Sequence, residues 1–277
     1  MTHHIHRPDI EGVAGAIAGY DLTSVQLNLD SAGLPEIPET FDGALATRIR
    51  AAFARHDIRI SAISGTFNMI DPDRARLEEH IRRFPVLMQW CQALGCPVVS
   101  ACTGTRNPHS MWRHHPENLL PGAWADMRRT LDQLLPVAER FGVVIAFEPE
   151  VVNVVDTAAK ARRLIEEMAS SSLRVIMDPA NYFHPEMLPQ MDAVLEDVFQ
   201  NVGTYIVLAH AKDVRGPDPG GVECIRPAAG AGLLDYARYM QLLQRSGYDG
   251  ALVMHSLVEA EVPASAAYVR RFLVPHS

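Results

Sequence analysis

Short runs of consecutive apolar residues alternate with longer amphipathic stretches along nearly the whole chain. Val143-Val144-Ile145-Ala146-Phe147 is the clearest run: too short for a helix, rich in β-branching, and stopped by Glu148-Pro149-Glu150. A strand with one wet face would alternate, so a continuous run reads as a strand buried on both faces. Pro149 cannot donate to a ladder and ends the pairing. Leu173-Arg174-Val175-Ile176-Met177 before Asp178, and Tyr205-Ile206-Val207-Leu208-Ala209 before His210, repeat the design. Further strands start near residues 24, 58, 97 and 251, the last closed by His255, which makes seven.

Helical patterns fill the intervals: residues 9–19, about 42–56, 71–94, 123–141, 156–168, 189–198, 233–246 and 261–273. Their ends carry the usual signals. Asp71-Pro72-Asp73 is a start, Gly95 and Gly142 are stops, and Asp156-Thr157 is a cap. Loops are expected at 64–69, at 107–121 (polar, with His109, Trp112, His114 and His115) and at 211–232. The last is too long for an idle connector.

Strict alternation of buried strands and helices predicts a parallel sheet with helical crossovers. The expected fold class is α/β, a (β/α)8 barrel forming a single domain over residues 1–277. Seven strands leave the eighth to residues 2–6, a short and polar first strand. Otherwise residues 1–8, with His3, His4 and His6, are a solvated tail. An open doubly wound sheet is the alternative, weakened because no glycine-rich dinucleotide loop follows the first strand.

Composition adds limits. The 277 residues are 48% hydrophobic and 21% charged, enough for a sizeable core. A formal net charge of −8 argues against nucleic-acid and membrane-surface partners. No apolar run approaches the ~20 residues of a membrane span, and the N-terminal residues lack a signal-peptide core, so a cytoplasmic location is expected. Cys91, Cys96, Cys102 and Cys224 show no paired spacing and read as free thiols.

In a barrel the carboxyl ends of all strands face one mouth, so Glu148, Asp178, His210 and His255 converge there. Each alone has a structural account, as a helix cap or a hydrogen-bonded core residue. Repetition on four successive strands points instead to a divalent metal ion. Two carboxylates and two imidazoles suit Mn, Zn, Co or Fe better than Mg.

Phe147-Glu148-Pro149-Glu150, Met177-Asp178-Pro179-Ala180-Asn181, Ala209-His210-Ala211-Lys212-Asp213 and Gly247-Tyr248-Asp249-Gly250 resemble the strand-end motifs of xylose isomerase-like TIM barrels. More narrowly, they resemble the sugar phosphate isomerase/epimerase branch. The resemblance implies one divalent ion (Mn, Zn, Co, Fe or Mg) held by Glu148, Asp178 and His210. It also implies an isomerase or epimerase acting on a small sugar, polyol or sugar phosphate through a metal-stabilised enediolate. Family members usually carry a second Glu at the end of the last strand, as ligand and proton-transfer group; here that position is His255. An imidazole can serve as acid or base near neutral pH, but not while it ligates the ion.

Glu148 is then the expected base, with His255 and Lys212 as catalytic partners. Lys212 either stabilises an enolate or pairs with Asp213. Asn181, Glu150, Arg215 and Arg226 are candidate substrate contacts, the arginines for a carboxylate or phosphate. A dehydratase working through the same enolate is the runner-up, and a non-catalytic sugar-binding barrel is a third reading. An apurinic-site endonuclease, which shares the barrel, needs more ligands in the first half. The strand ends there are Asn28, Ser64 and Ala101. A homodimer is consistent with exposed Trp112 and histidines on the 107–121 loop.

Overall fold

The computed structural model describes residues 1–273. Seven parallel strands stand side by side in chain order: β1 (Ser24–Leu27), β2 (Arg59–Asn68), β3 (Val98–Cys102), β4 (Val144–Glu148), β5 (Leu173–Met177), β6 (Ile206–Ala211) and β7 (Leu252–Met254). Between and around them run α1 (Ile10–Gly19), α2 (Gly43–Ala54), α3 (Arg74–Leu94), α4 (Pro121–Phe141), α5 (Ala158–Met168), α6 (Met191–Val202), α7 (Tyr236–Arg245) and α8 (Val262–Arg270). With every neighbouring pair parallel and helices outside, this is a nearly closed barrel of the (β/α)8 type.

Local chemistry starts and stops the helices, with one shift from expectation: α3 is capped by Asp73 and begins at Arg74, leaving Asp71 and Pro72 ahead of it. Asp42 accepts from the amides of Ala44 and Leu45, and Asp73 from that of Arg76. Such caps satisfy amides that have no partner inside the helix. Gly95 and Gly142 take left-handed conformations after α3 and α4. The expected 189–198 helix is offset: Pro185–Gln190 forms a 3-10 turn, and α6 starts only at Met191.

The core has two layers because successive strand residues point to opposite faces. Ala62, Val98, Ala146, Ile176, Leu208 and Val253, one from each of β2 to β7, form the cluster filling the barrel interior. Their neighbours Ile63, Val99, Ile145, Phe147, Val175, Met177 and Ala209 belong to the larger cluster under the helices.

Residues 2–6 do not form the expected strand. Thr2–His4 is a 3-10 turn, and it is not a solvated tail either, since Thr2 and Ile5 are buried. The Thr2 hydroxyl takes the backbone amide of Asn28 at 2.8 Å, and the Met1 amine donates to the Met254 carbonyl at 3.0 Å. The segment therefore plugs the seam between β1 and β7 with side-chain and single backbone bonds in place of a ladder. Below it a cavity of about 790 Å³ follows the seam, lined by Val25, Leu252, Met254 and the inner faces of α7 and α8.

The 64–69 loop is also revised, because β2 continues to Asn68. Its register shifts between Ser64 and Asn68, and that irregularity lets polar residues stay in a paired strand. Among the described residues no helix is long and apolar enough to cross a membrane.

Candidate metal centre

Parity along the strands places the site. Ala146, Ile176, Leu208 and Val253 point into the barrel, so the residue two further on points the same way, one tier nearer the mouth. Those residues are Glu148, Asp178, His210 and His255. Glu148 is the last residue of β4 and Asp178 the first after β5, whereas His210 lies inside β6 and His255 just beyond β7. Ser256, at φ +54°, turns the chain directly behind His255.

One ligand atom from each of these four lies within 4.8 Å of all the others. His210 Nδ1 is 3.6 Å from both Glu148 Oε1 and Asp178 Oδ2, and His255 Nδ1 is 3.6 Å from Asp178 Oδ2. Those separations are too long for hydrogen bonds. They are of the order expected between donors that share an ion at roughly 2.0–2.2 Å. Asp178 Oδ2, His210 Nδ1 and His255 Nδ1 are all buried without a hydrogen-bond partner. Buried polar atoms are normally hydrogen-bonded; three without such a partner, converging on one point, fit the donor set of a divalent cation. The donor set thus fits a divalent metal.

The electrostatics follow from the crowding. Burial would raise the Asp178 carboxyl, but the Lys212 ammonium at 3.3 Å and the two imidazoles hold it well below the usual carboxylate range. Burial likewise disfavours charge on His210, yet Glu148 and Asp178 outweigh it and raise the ring to about 9. His255, desolvated and facing Lys212 and His210, falls to about 4 despite Asp178. Glu150, buried beside the Glu148 charge, is pushed up to about 7.

Asn181 and Lys212 join the cluster directly. The Asn181 amide donates to Glu148, and the Lys212 ammonium donates to Asn181 Oδ1 at 2.9 Å. Lys212 does not pair with Asp213. Asp213 instead accepts from the backbone amides of Val214, Gly230 and Leu234 and so holds the 211–232 arm. A side chain at Gly232 would collide with that carboxylate, its Cβ 2.3 Å from Asp213 Oδ1.

Arg226 lies along the same wall, donating to the Ala180 carbonyl at 3.3 Å. Arg215 faces away and pairs with Asp218 at 2.8 Å on the surface. On the 107–121 loop Trp112 is 56% exposed, and His115 caps the turn Pro116–Leu119.

Two features were not singled out from the sequence. Gln26, buried on β1, places Oε1 3.0 Å from His210 Nε2, and its amide nitrogen is 3.1 Å from Ser100 Oγ. A lone glutamine between Val25 and Leu27 in a buried strand was the available signal, since such a polar group requires a partner. The other feature is a row of imidazoles. The His3 and His4 rings lie 6.5 and 6.1 Å from that of His255, which is 5.1 Å from that of His210.

The sequence pattern of the xylose isomerase-like TIM barrel family matches residues 15–272. No curated protein matches the chain. Among solved structures, 3-keto-D-glucoside 4-epimerase from E. coli (apo form) is similar, with a TM-score of 0.66 and 19% identity over 96% of each chain. D-psicose 3-epimerase with D-tagatose from Clostridium cellulolyticum H10 gives 0.70 at 14% identity, over 96% of this chain and 94% of that one. A xylose isomerase-like TIM barrel protein from Mycobacterium smegmatis in complex with magnesium gives 0.67 at 14%, over 97% and 89%. At these identities the structures speak for the fold. The chain belongs to the xylose isomerase-like TIM barrel family.

Proposed function

We propose that the protein is a metal-dependent isomerase or epimerase of a small sugar, polyol or sugar phosphate. The observation that carries this is the convergence of Glu148, Asp178, His210 and His255, with three of their atoms buried and without a hydrogen-bond partner. The sugar epimerases among the similar structures support the substrate class. A divalent ion bound there would polarise a substrate carbonyl and stabilise the negative charge that develops when the adjacent carbon loses a proton.

The chain's own groups supply the rest. Glu148 stands at the mouth with its carboxylate oriented by Asn181, which is the arrangement of a base held in one direction. The Lys212 ammonium, fixed by Asn181 and Asp178, adds positive charge on the same side. Glu150 and Arg226 line the adjoining wall and are the candidates for hydroxyl and anion contacts. His255 occupies the place of the family's second glutamate. Because it is an imidazole, a lyase that removes water after abstraction from one face is the second reading.

The test is ¹H NMR of the Mn²⁺- or Zn²⁺-loaded protein with small ketoses and their phosphates in D₂O. Exchange of the proton next to the carbonyl, with isomer or epimer formation, is the expected result. Loss of water instead would establish the lyase. Saturable sugar binding with neither exchange nor turnover would overturn both in favour of a binding protein.

A further inference from the structure

A neutral imidazole has one nitrogen with a proton and one with a lone pair, and only the latter can ligate. In His210, Nδ1 faces Glu148 and Asp178 while Nε2 points to the opposite wall, 3.0 Å from Gln26 Oε1. Gln26 is in turn anchored. Its amide nitrogen donates to Ser100 Oγ at 3.1 Å, and Ser100 Oγ lies 3.5 Å from Thr66 Oγ1. His210, Gln26 and Ser100 are each at most 3% exposed, so water does not compete for these bonds.

We propose that Gln26 is a positioning residue of the metal centre: its carbonyl holds a proton on His210 Nε2 and thereby dedicates Nδ1 to the ion. The proposal rests on the reading of the four-residue cluster as a metal site. Without an acceptor at Nε2, the ring is drawn to place its proton on Nδ1. There it would lie between two carboxylates and block the lone pair an ion needs. Glutamine suits the position because it accepts from the imidazole with one end and donates to Ser100 with the other, burying no charge. Partners that orient a ligating histidine typically contribute 10–100-fold to metal affinity.

The experiment measures Zn²⁺ affinity by chelator competition for the wild type, Gln26→Leu and Gln26→Glu. Long-range ¹H–¹⁵N spectra of the Zn²⁺-loaded proteins report which His210 nitrogen carries the proton. We expect Gln26→Leu to bind Zn²⁺ about 10–100-fold more weakly. Gln26→Glu, which restores an acceptor, should recover wild-type affinity or better, and the wild-type spectrum should show His210 protonated at Nε2. If the wild type takes up no Zn²⁺, the metal reading itself falls. If it binds Zn²⁺ but Gln26→Leu binds equally well, only the role of Gln26 is overturned. Equal weakening in both variants marks Gln26 as packing and also overturns the proposal. Should Gln26→Leu fail to fold, the wild-type spectrum and Gln26→Glu decide: a proton on Nδ1 refutes it.

Discussion

From β4 to β7 the inward positions at the mouth carry Glu148, Asp178, His210 and His255, whereas the polar side chains that β1 to β3 bring toward them are Gln26, Ser64 and Ser100. Gln26, Ser64 and Ser100 are all hydrogen-bonded. Gln26 bonds Ser100 and His210, and the Ser64 hydroxyl donates to Glu36 at 2.6 Å. In the ionisable half, Asp178 Oδ2, His210 Nδ1 and His255 Nδ1 are buried without a hydrogen-bond partner. Burying amides and hydroxyls is tolerable once they are paired, but crowding four ionisable groups, two of them buried, calls for compensating charge. On the proposed reading the contrast separates two tasks around one ring: one half would hold the ion, and the other would fix the direction of the groups that hold it.

The largest expected effect comes from the charged half. Asp178→Asn removes the shared ligand and leaves the Lys212 ammonium without its carboxylate. Zn²⁺ content by elemental analysis is expected to fall to near zero, and stability by roughly 3–5 kcal/mol in chemical denaturation. Retained Zn²⁺ would dissolve the distinction between the halves.

Next in size is the ion itself. Zn²⁺ at about 100 times its dissociation constant should stabilise the wild type by roughly 2.7 kcal/mol in thermal unfolding. The gain should be absent in Asp178→Asn. An equal gain in that variant would place the ion elsewhere.

The metal-free protein should also show what its protons do. His210 is raised to about 9, so its contribution is complete below its ordinary value of 6.5 and is lost as pH rises through about 9. His255, lowered to about 4, contributes fully above 6.5 and loses that as pH falls through about 4. For this pair, stability with chelator present is expected to peak near pH 6.5, with limbs on the order of a few kcal/mol. Zn²⁺ should flatten the alkaline limb, because the ion replaces the Nδ1 proton. Melting temperatures across pH 4 to 9 check it, and an unchanged alkaline limb would refute the assignment to His210.

The smallest effect is expected at Arg215. Its surface pair with Asp218 contributes little, and Arg215→Ala should leave stability within roughly 0.5 kcal/mol of wild type. Zn²⁺ affinity should not change. A large rise in KM for a phosphorylated sugar would show that the arm swings Arg215 to the mouth.

Much of this was legible from short stretches. The run before Glu148 and those before Asp178 and His210 announce strands. Period-two alternation then aligns each ionisable residue with an inward apolar one, so the four-residue cluster was readable as a set. Thr157, Gly95 and Gly142 announced helix ends because capping is a matter of a few adjacent residues. Less legible was residues 2–6, where three histidines suggested either a strand or a tail. The segment became a plug because Thr2 and Met1 found backbone partners at Asn28 and Met254, more than twenty residues away in one case and across the chain in the other. Lys212 was open between two roles, and only packing showed Asp213 engaged by the amides of Val214, Gly230 and Leu234.

The sequence by itself determined the order of strands and helices, the parallel sheet and the ionisable residues facing the mouth. All of these follow from hydrophobic period, turn chemistry and the position of a side chain relative to its own strand. Only the tertiary structure decided how far apart those side chains stand, which of their atoms lack partners, and that Gln26 from the first strand meets His210 from the sixth. Distances and partners across a barrel depend on stagger between strands distant in the chain. A one-residue slip exchanges inside for outside, and no local pattern records that register.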